Sequence, residues 1–198
     1  YYAQCELEGA NEHQVEESQK AVAKMEVIIG DPDRLRAVAE DFIKHYETRV
    51  AEGATVAGKA MFVCSNRNIA YDFYKIVKEL RPEWTEKKIC DDGVVLSEKD
   101  KKELKPMEKI KLVMTRNKDD EKDLFDMLGT KEDRKEFDRQ FKNPKSNFKI
   151  AIVVDMWLTG FDVPELDTIY IDKPIQQHTL IQTISRVNRC LLYTSDAA

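Results

Sequence analysis

Gln182, Ser185, Arg186 and Arg189 fall at i, i+3, i+4 and i+7, so a helix running through them presents all four on one face. Leu180, Ile184 and Val187 form the opposite, apolar stripe. A helix docked by that stripe displays an amide, a hydroxyl and two guanidinium forks together. Two such forks match phosphate oxygens with paired N–H donors, which lysine ammonium groups cannot do. The competing reading is a solvated amphipathic face with both arginines in surface salt bridges. An amide and a hydroxyl at these offsets favour anion binding.

A second segment with chemical content lies just upstream, Asp155 to Pro164. Gly160 permits close approach of backbone to a ligand. Asp162 offers a carboxylate that could accept from a ribose hydroxyl, and Pro164 sets the loop exit. An ordinary turn between two strands explains Gly, Asp and Pro equally well.

These segments need elements to position them. Ile150 to Val154 is apolar without alternation, the pattern of a strand covered on both faces. Ala60 to Cys64, Ile110 to Met114 and Thr168 to Ile171 are three further strand candidates. Helical spacing marks Asn68 to Leu80, stopped by Arg81-Pro82, and a helix capped by Thr130 and running to about Lys142. Thr179 to Asn188 is a final helix. Strands alternating with helices argue for a parallel sheet with right-handed crossovers. The loop after Ile150–Val154 then sits beyond a strand's carboxyl end, where open parallel sheets bind ligands.

Ahead of the first strand, Asp31 can cap a helix that has Pro32 in its first turn and an apolar stripe of Leu35, Val38, Ala39, Phe42, Ile43 and Tyr46. Glu12 to Lys24 reads as an exposed helix, and Ala51 to Gly58 as a small-residue linker. Glu83 to Lys109 reads as a charged surface excursion, and Thr115 to Gly129 as a polar loop. Residues 190–198 lack periodicity and are expected to be a non-native tail. The expected organisation is a helical segment over 1–57, a sheet domain over 58–189 and the tail.

Composition excludes several classes. Hydrophobic residues are 42% and charged residues 35% of the 198, a globular balance. No apolar run approaches the roughly 20 residues that span a bilayer, and no cleavable signal opens the chain, so a cytoplasmic protein is expected. The start at Tyr1-Tyr2 without methionine suggests a fragment. The cysteines at 5, 64, 90 and 190 form no C-x-x-C pair, and His13, His45 and His178 stand near none of them at ligand spacing, so no metal site is expected. A net charge of -5 argues against a strongly basic nucleic-acid module.

The motifs resemble those of a known family. Gln182 to Arg189 is similar to the last motif of superfamily-two helicases, with Ser185 where glycine is commonest, and Thr159 to Pro164 is similar to the motif before it. The wording VVDMWLTGFDVP followed by LIQTISRVNR resembles the R (restriction, motor) subunit of type I restriction enzymes. GKAMFVCSNRNIAYDFY resembles the opening strand and helix of that subunit's second motor domain, and MEVIIGDPDRLRAVAEDFIKHYE the helical segment before it. The likeness covers most of Met25 to Arg189 and is loosest between Glu83 and Lys149.

The resemblance implies an α/β, RecA-like parallel sheet flanked by helices, with an N-terminal helical segment. It implies one lobe of an ATP-dependent DNA translocase, with ATP and Mg2+ held mainly by a first lobe lying outside this sequence. No G-x-x-x-x-G-K-[ST] occurs here, and the glycines from Gly53 to Gly58 have the wrong spacing for one. By the same resemblance Arg189 is the arginine finger, Arg186 a second phosphate contact and Gln182 a nucleotide sensor. Gly160 and Asp162 couple nucleotide state to lobe closure. Ser65, Asn66, Arg67, Thr115 and Thr159 touch nucleic acid, through backbone N–H groups and small hydroxyls that need no basic patch. The implied partners are double-stranded DNA, the first motor lobe and nuclease domain of the same full-length chain, and the modification and specificity subunits. The isolated fragment is expected to be inactive. The alternative in the same fold is the second lobe of another superfamily-two DNA or RNA helicase or remodeller.

Overall fold

A computed structural model describes residues 20, 23–55, 57–157, 163 and 165–174. Residues 23–29 are helical and end at a turn on Gly30. Helix α1 (Pro32–Ala51) follows for the reasons its sequence supplies. The Asp31 carboxylate accepts from Arg34 N at 3.0 Å, and proline occupies the first turn. Leu35, Ala39, Phe42, Ile43 and Tyr46 are buried along one face. The chain then enters strand β1 (Lys59–Cys64), with the Tyr46 hydroxyl donating to Gly58 O at 2.9 Å.

Helix α2 (Arg67–Leu80) leaves β1 directly and ends before Pro82. A 3-10 turn at Pro82–Thr85 buries Trp84. Short helix α3 (Glu98–Glu103), strand β2 (Ile110–Leu112), helices α4 (Lys122–Leu128) and α5 (Lys131–Lys142), and strands β3 (Ile150–Val153) and β4 (Leu166–Asp172) complete the order. The sheet runs β2-β3-β1-β4, and every pairing in it is parallel. Ala60 pairs with Ile150 and Thr168, and Ile110 also pairs with Ile150. The architecture is therefore α/β, a RecA-like parallel sheet flanked by helices.

Both sheet faces are covered, which explains the missing alternation in the strand sequences. Ala60, Phe62, Cys64, Ile110, Leu112, Ile150 and Ile152 point to one side and share an apolar cluster with α1 and α2. Met61, Val63, Ala151 and Val153 point to the other and pack with Phe141 of α5 and Phe148. Phe62 stacks on Phe73 with centroids 4.0 Å apart, and Phe42 meets Phe62 edge-on at 5.2 Å. Burying each such ring contributes about 1.5–3 kcal/mol. The helical segment before the sheet is thus built into the same core as the sheet.

Two expectations change. The stretch Thr115 to Gly129 is not loop throughout, because it contains α4, whose Leu124 and Leu128 enter the core. A helix this short is held by tertiary burial rather than by its own propensity. The excursion from Glu83 to Lys109 is tied back by Trp84, which is 4% exposed, and by the antiparallel bridge of Lys88 to Met107. The expected final helix Thr179–Asn188, and the expected Glu12–Lys24 helix apart from residues 20, 23 and 24, lie outside the described residues. Cys64 is buried and Cys90 half-buried, both as free thiols. Burial pushes the Cys64 thiol pKa up. No helix among the described residues is long and apolar enough to cross a membrane.

Candidate functional site

Because the four strands are parallel, their carboxyl ends share one edge of the sheet, and the loops that follow them gather there. Ser65, Asn66 and Arg67 make the turn from β1 into α2. Asn66 has extended backbone, and its side-chain oxygen accepts from Ile69 N at 3.0 Å, which caps α2. Its amide nitrogen donates to Glu26 Oε1 at 3.4 Å. The Ser65 hydroxyl donates to Asp172 O, at the end of β4, at 3.0 Å.

Arg67 reaches across to the loop after β2. One guanidinium nitrogen donates to Thr115 O at 2.7 Å, and another bonds both oxygens of Asp120 at 2.5 and 2.6 Å. Asp120 also accepts from Asn117 N at 2.6 Å, closing a small turn. The structure therefore brings Ser65, Asn66, Arg67 and Thr115 together. It employs the side chains of the first three in internal bonds and leaves Thr115 exposed.

After β3 the chain passes Asp155, whose carboxylate accepts from Lys173 Nζ at 2.8 Å; the same amine donates to Val154 O at 3.3 Å. Trp157 follows with a φ of 66°. Left-handed backbone on a bulky residue costs about 1–2 kcal/mol. Its ring stacks on Phe141 at 5.2 Å, which ties this turn to α5. Val163 is buried in the cluster below the sheet. Thr159, Gly160, Asp162, Gln182, Arg186 and Arg189 lie outside the described residues.

Four participants at this edge escape a reading of the sequence: Arg34, Asp120, Asp172 and Lys173. Arg34 bonds Asp172 with two guanidinium nitrogens, one of them at 3.1 Å, and the hydrogen bond raises its pKa. The pair is separated by 138 residues. Nothing local in either segment signals such a contact. Asp172 offers one cue, a carboxylate at the carboxyl end of a strand.

Residues 56–196 match the family model described as type I restriction enzyme subunit R domain 3. This chain belongs to the R-subunit family of type I restriction enzymes. The type I restriction enzyme HindI endonuclease subunit of Haemophilus influenzae is 36% identical over 174 residues, which are 88% of this chain and 15% of that protein. The putative type I restriction enzyme MjaIXP endonuclease subunit of Methanocaldococcus jannaschii is 38% identical over 182 residues, or 91% of this chain and again 15% of that protein. The chain thus spans about 15% of the length of these relatives. Within this R-subunit chain the matched span holds the four strands found among the described residues and the turns at Ser65 and Thr115, whereas α1 and Arg34 precede it.

Proposed function

We propose that this chain is the second motor lobe of an ATP-dependent DNA translocase, the motor portion of a type I restriction endonuclease subunit. The observation that carries the reading is convergence. An all-parallel sheet collects the turns at Ser65–Arg67 and Thr115 and the start of the Asp155–Pro164 segment on one edge, in a chain of the R-subunit family. The relatives are named as restriction enzyme endonuclease subunits.

In this reading the lobe completes a nucleotide site that another lobe holds. The small-residue stretch from Gly53 to Gly58 leads into the amino end of β1, the edge opposite the one where a phosphate-cradling loop follows its strand. ATP and Mg2+ are therefore assigned mainly to the first lobe, where the metal neutralises phosphate charge. This chain's part is to bring Arg186 and Arg189 to phosphate oxygens as the lobes close, with Gln182 sensing the nucleotide. Gly160 and Asp162 couple that closure to movement. Ser65, Asn66, Thr115 and Thr159 face one DNA strand, and contacts from backbone N–H groups and hydroxyls suit a chain with a net charge of -5. Arg67 serves the same surface by holding Thr115 in place. Cleavage belongs to a nuclease domain elsewhere in the full-length chain, and site choice to the specificity and modification subunits.

The test uses the intact subunit. Arg189→Ala should lower DNA-dependent ATP turnover by about 10³-fold or more while DNA binding persists. Near-normal turnover would remove the finger assignment. The isolated chain should hydrolyse no ATP and cut no DNA, and appreciable ATPase activity from it contradicts the reading.

A further inference from the structure

The segment that precedes the family-matched span is fastened to the strand-end turn at Ser65–Asn66 directly through Glu26 and indirectly through Asp172. Arg34 donates to Ile29 O at 2.9 Å, holding the end of the 23–29 helical stretch, and grips the Asp172 carboxylate with both arms of its guanidinium. The backbone oxygen of the same Asp172 receives the Ser65 hydroxyl at 3.0 Å. Asn66 adds its bond to Glu26, within the stretch itself. Gly30 lies close against α2, since a β-carbon there would stand 3.4 Å from Ile69 Cγ1. Side-chain exposure is 34% for Arg34 and 12% for Asp172, so the pair is partly shielded from water and salt.

We infer that Arg34 and Asp172 are positioning residues that couple displacement of the upstream segment to the Ser65–Asn66 turn. This inference rests on the motor reading above. The segment lies outside the matched span, which starts only at residue 56. A pull on residues 23–34 is delivered to the end of β4 through a two-armed ion pair and from there to the turn through the Ser65 hydroxyl, beside the weaker direct bond of Glu26 to Asn66. The bidentate geometry matters, because one fork constrains direction as well as distance. Arg36 makes the contrast: on the same helix it pairs with Glu79 and Glu40 at side chains 47–65% exposed, away from the strand ends.

The experiment takes the full-length subunit in its assembled complex, with variants Arg34→Gln, Asp172→Asn, the double variant, and Arg36→Gln as control. DNA-dependent ATP turnover and displacement of a third strand from duplex DNA are measured together. The expected result is a roughly 3- to 10-fold fall in base pairs travelled per ATP for each single variant, with ATP turnover kept within about two-fold. The double variant should be no worse than either single variant, and Arg36→Gln should match the wild type. A proportional fall of both rates, effects that multiply in the double variant, or full coupling in every variant overturns the inference. A wild-type complex without ATP-driven displacement overturns the motor reading instead.

Discussion

The Arg67 guanidinium bonds both carboxylate oxygens of Asp120 from 53 residues away, and so joins the start of α2 to the loop after β2. Side-chain exposure is 29% for Arg67 and 6% for Asp120. Removing the arginine leaves a shielded carboxylate without its counter-charge, which costs more than an exposed pair does. Arg67→Ala should therefore destabilise the chain by about 2 kcal/mol. Urea denaturation followed by circular dichroism measures it, and a change under about 0.5 kcal/mol would mean that the pair is energetically idle.

Asn66 caps α2 through its side-chain oxygen. Asn66→Ala should cost about 1 kcal/mol, and Asn66→Ser, which keeps an oxygen acceptor, only a few tenths. Equal losses for the two variants in the same denaturation series would show that the cap is not what the residue contributes to stability.

Gly129 ends α4 with a φ of 64°, and a β-carbon placed there would lie 2.8 Å from Asp133 Cβ. Asp133 is the partner of Thr130 in the capping box of α5, so it has little freedom to retreat. Gly129→Ala should lower stability by about 2–3 kcal/mol, through left-handed strain plus crowding. Gly53 has a similar φ of 67° with nothing within 4 Å, so Gly53→Ala should cost only about 1 kcal/mol. Thermal melts of the two variants side by side decide between strain alone and strain with crowding.

Phe73 is fully buried between α1 and β1. Phe73→Ala should cost about 3–5 kcal/mol and Phe73→Leu less than half of that, because the leucine refills most of the volume. Similar losses for both would place the importance in the ring stack with Phe62 rather than in volume.

Glu136 should shape the acid limb of stability. Burial pushes its pKa up, but hydrogen bonds from Arg139, Lys105 and Gln140 outweigh that and bring it from 4.5 to about 2. A carboxylate held below its unfolded value contributes fully above pH 4.5 and loses that contribution as pH falls toward about 2. Glu136→Gln should flatten stability against pH in that window and leave the slope near neutrality unchanged. An unchanged acid limb would show that other carboxylates dominate it.

The segments with strong local signals were legible in the sequence. The Asp31–Pro32 start, the buried runs at Ala60–Cys64 and Ile150–Val153, and the Thr130 cap each depend on neighbours within a few residues, and each stands where the spacing places it. Helix α4 was not legible, because its stability comes from Leu124 and Leu128 entering a core assembled from distant strands.

The candidate site divides along the same line. Sequence by itself identified the strand and helix on either side of Ser65–Arg67 and the class of fold, since these are properties of residue type and short spacing, and it carried the motif resemblance. Tertiary structure alone decided what Ser65, Asn66 and Arg67 hold, and that Arg34 and Asp172 meet. Those bonds join residues that share nothing in sequence. They form only because parallel strands end on one edge and the start of α1 reaches it, so that Arg34 and Asp172, 138 positions apart, meet at a partly shielded surface.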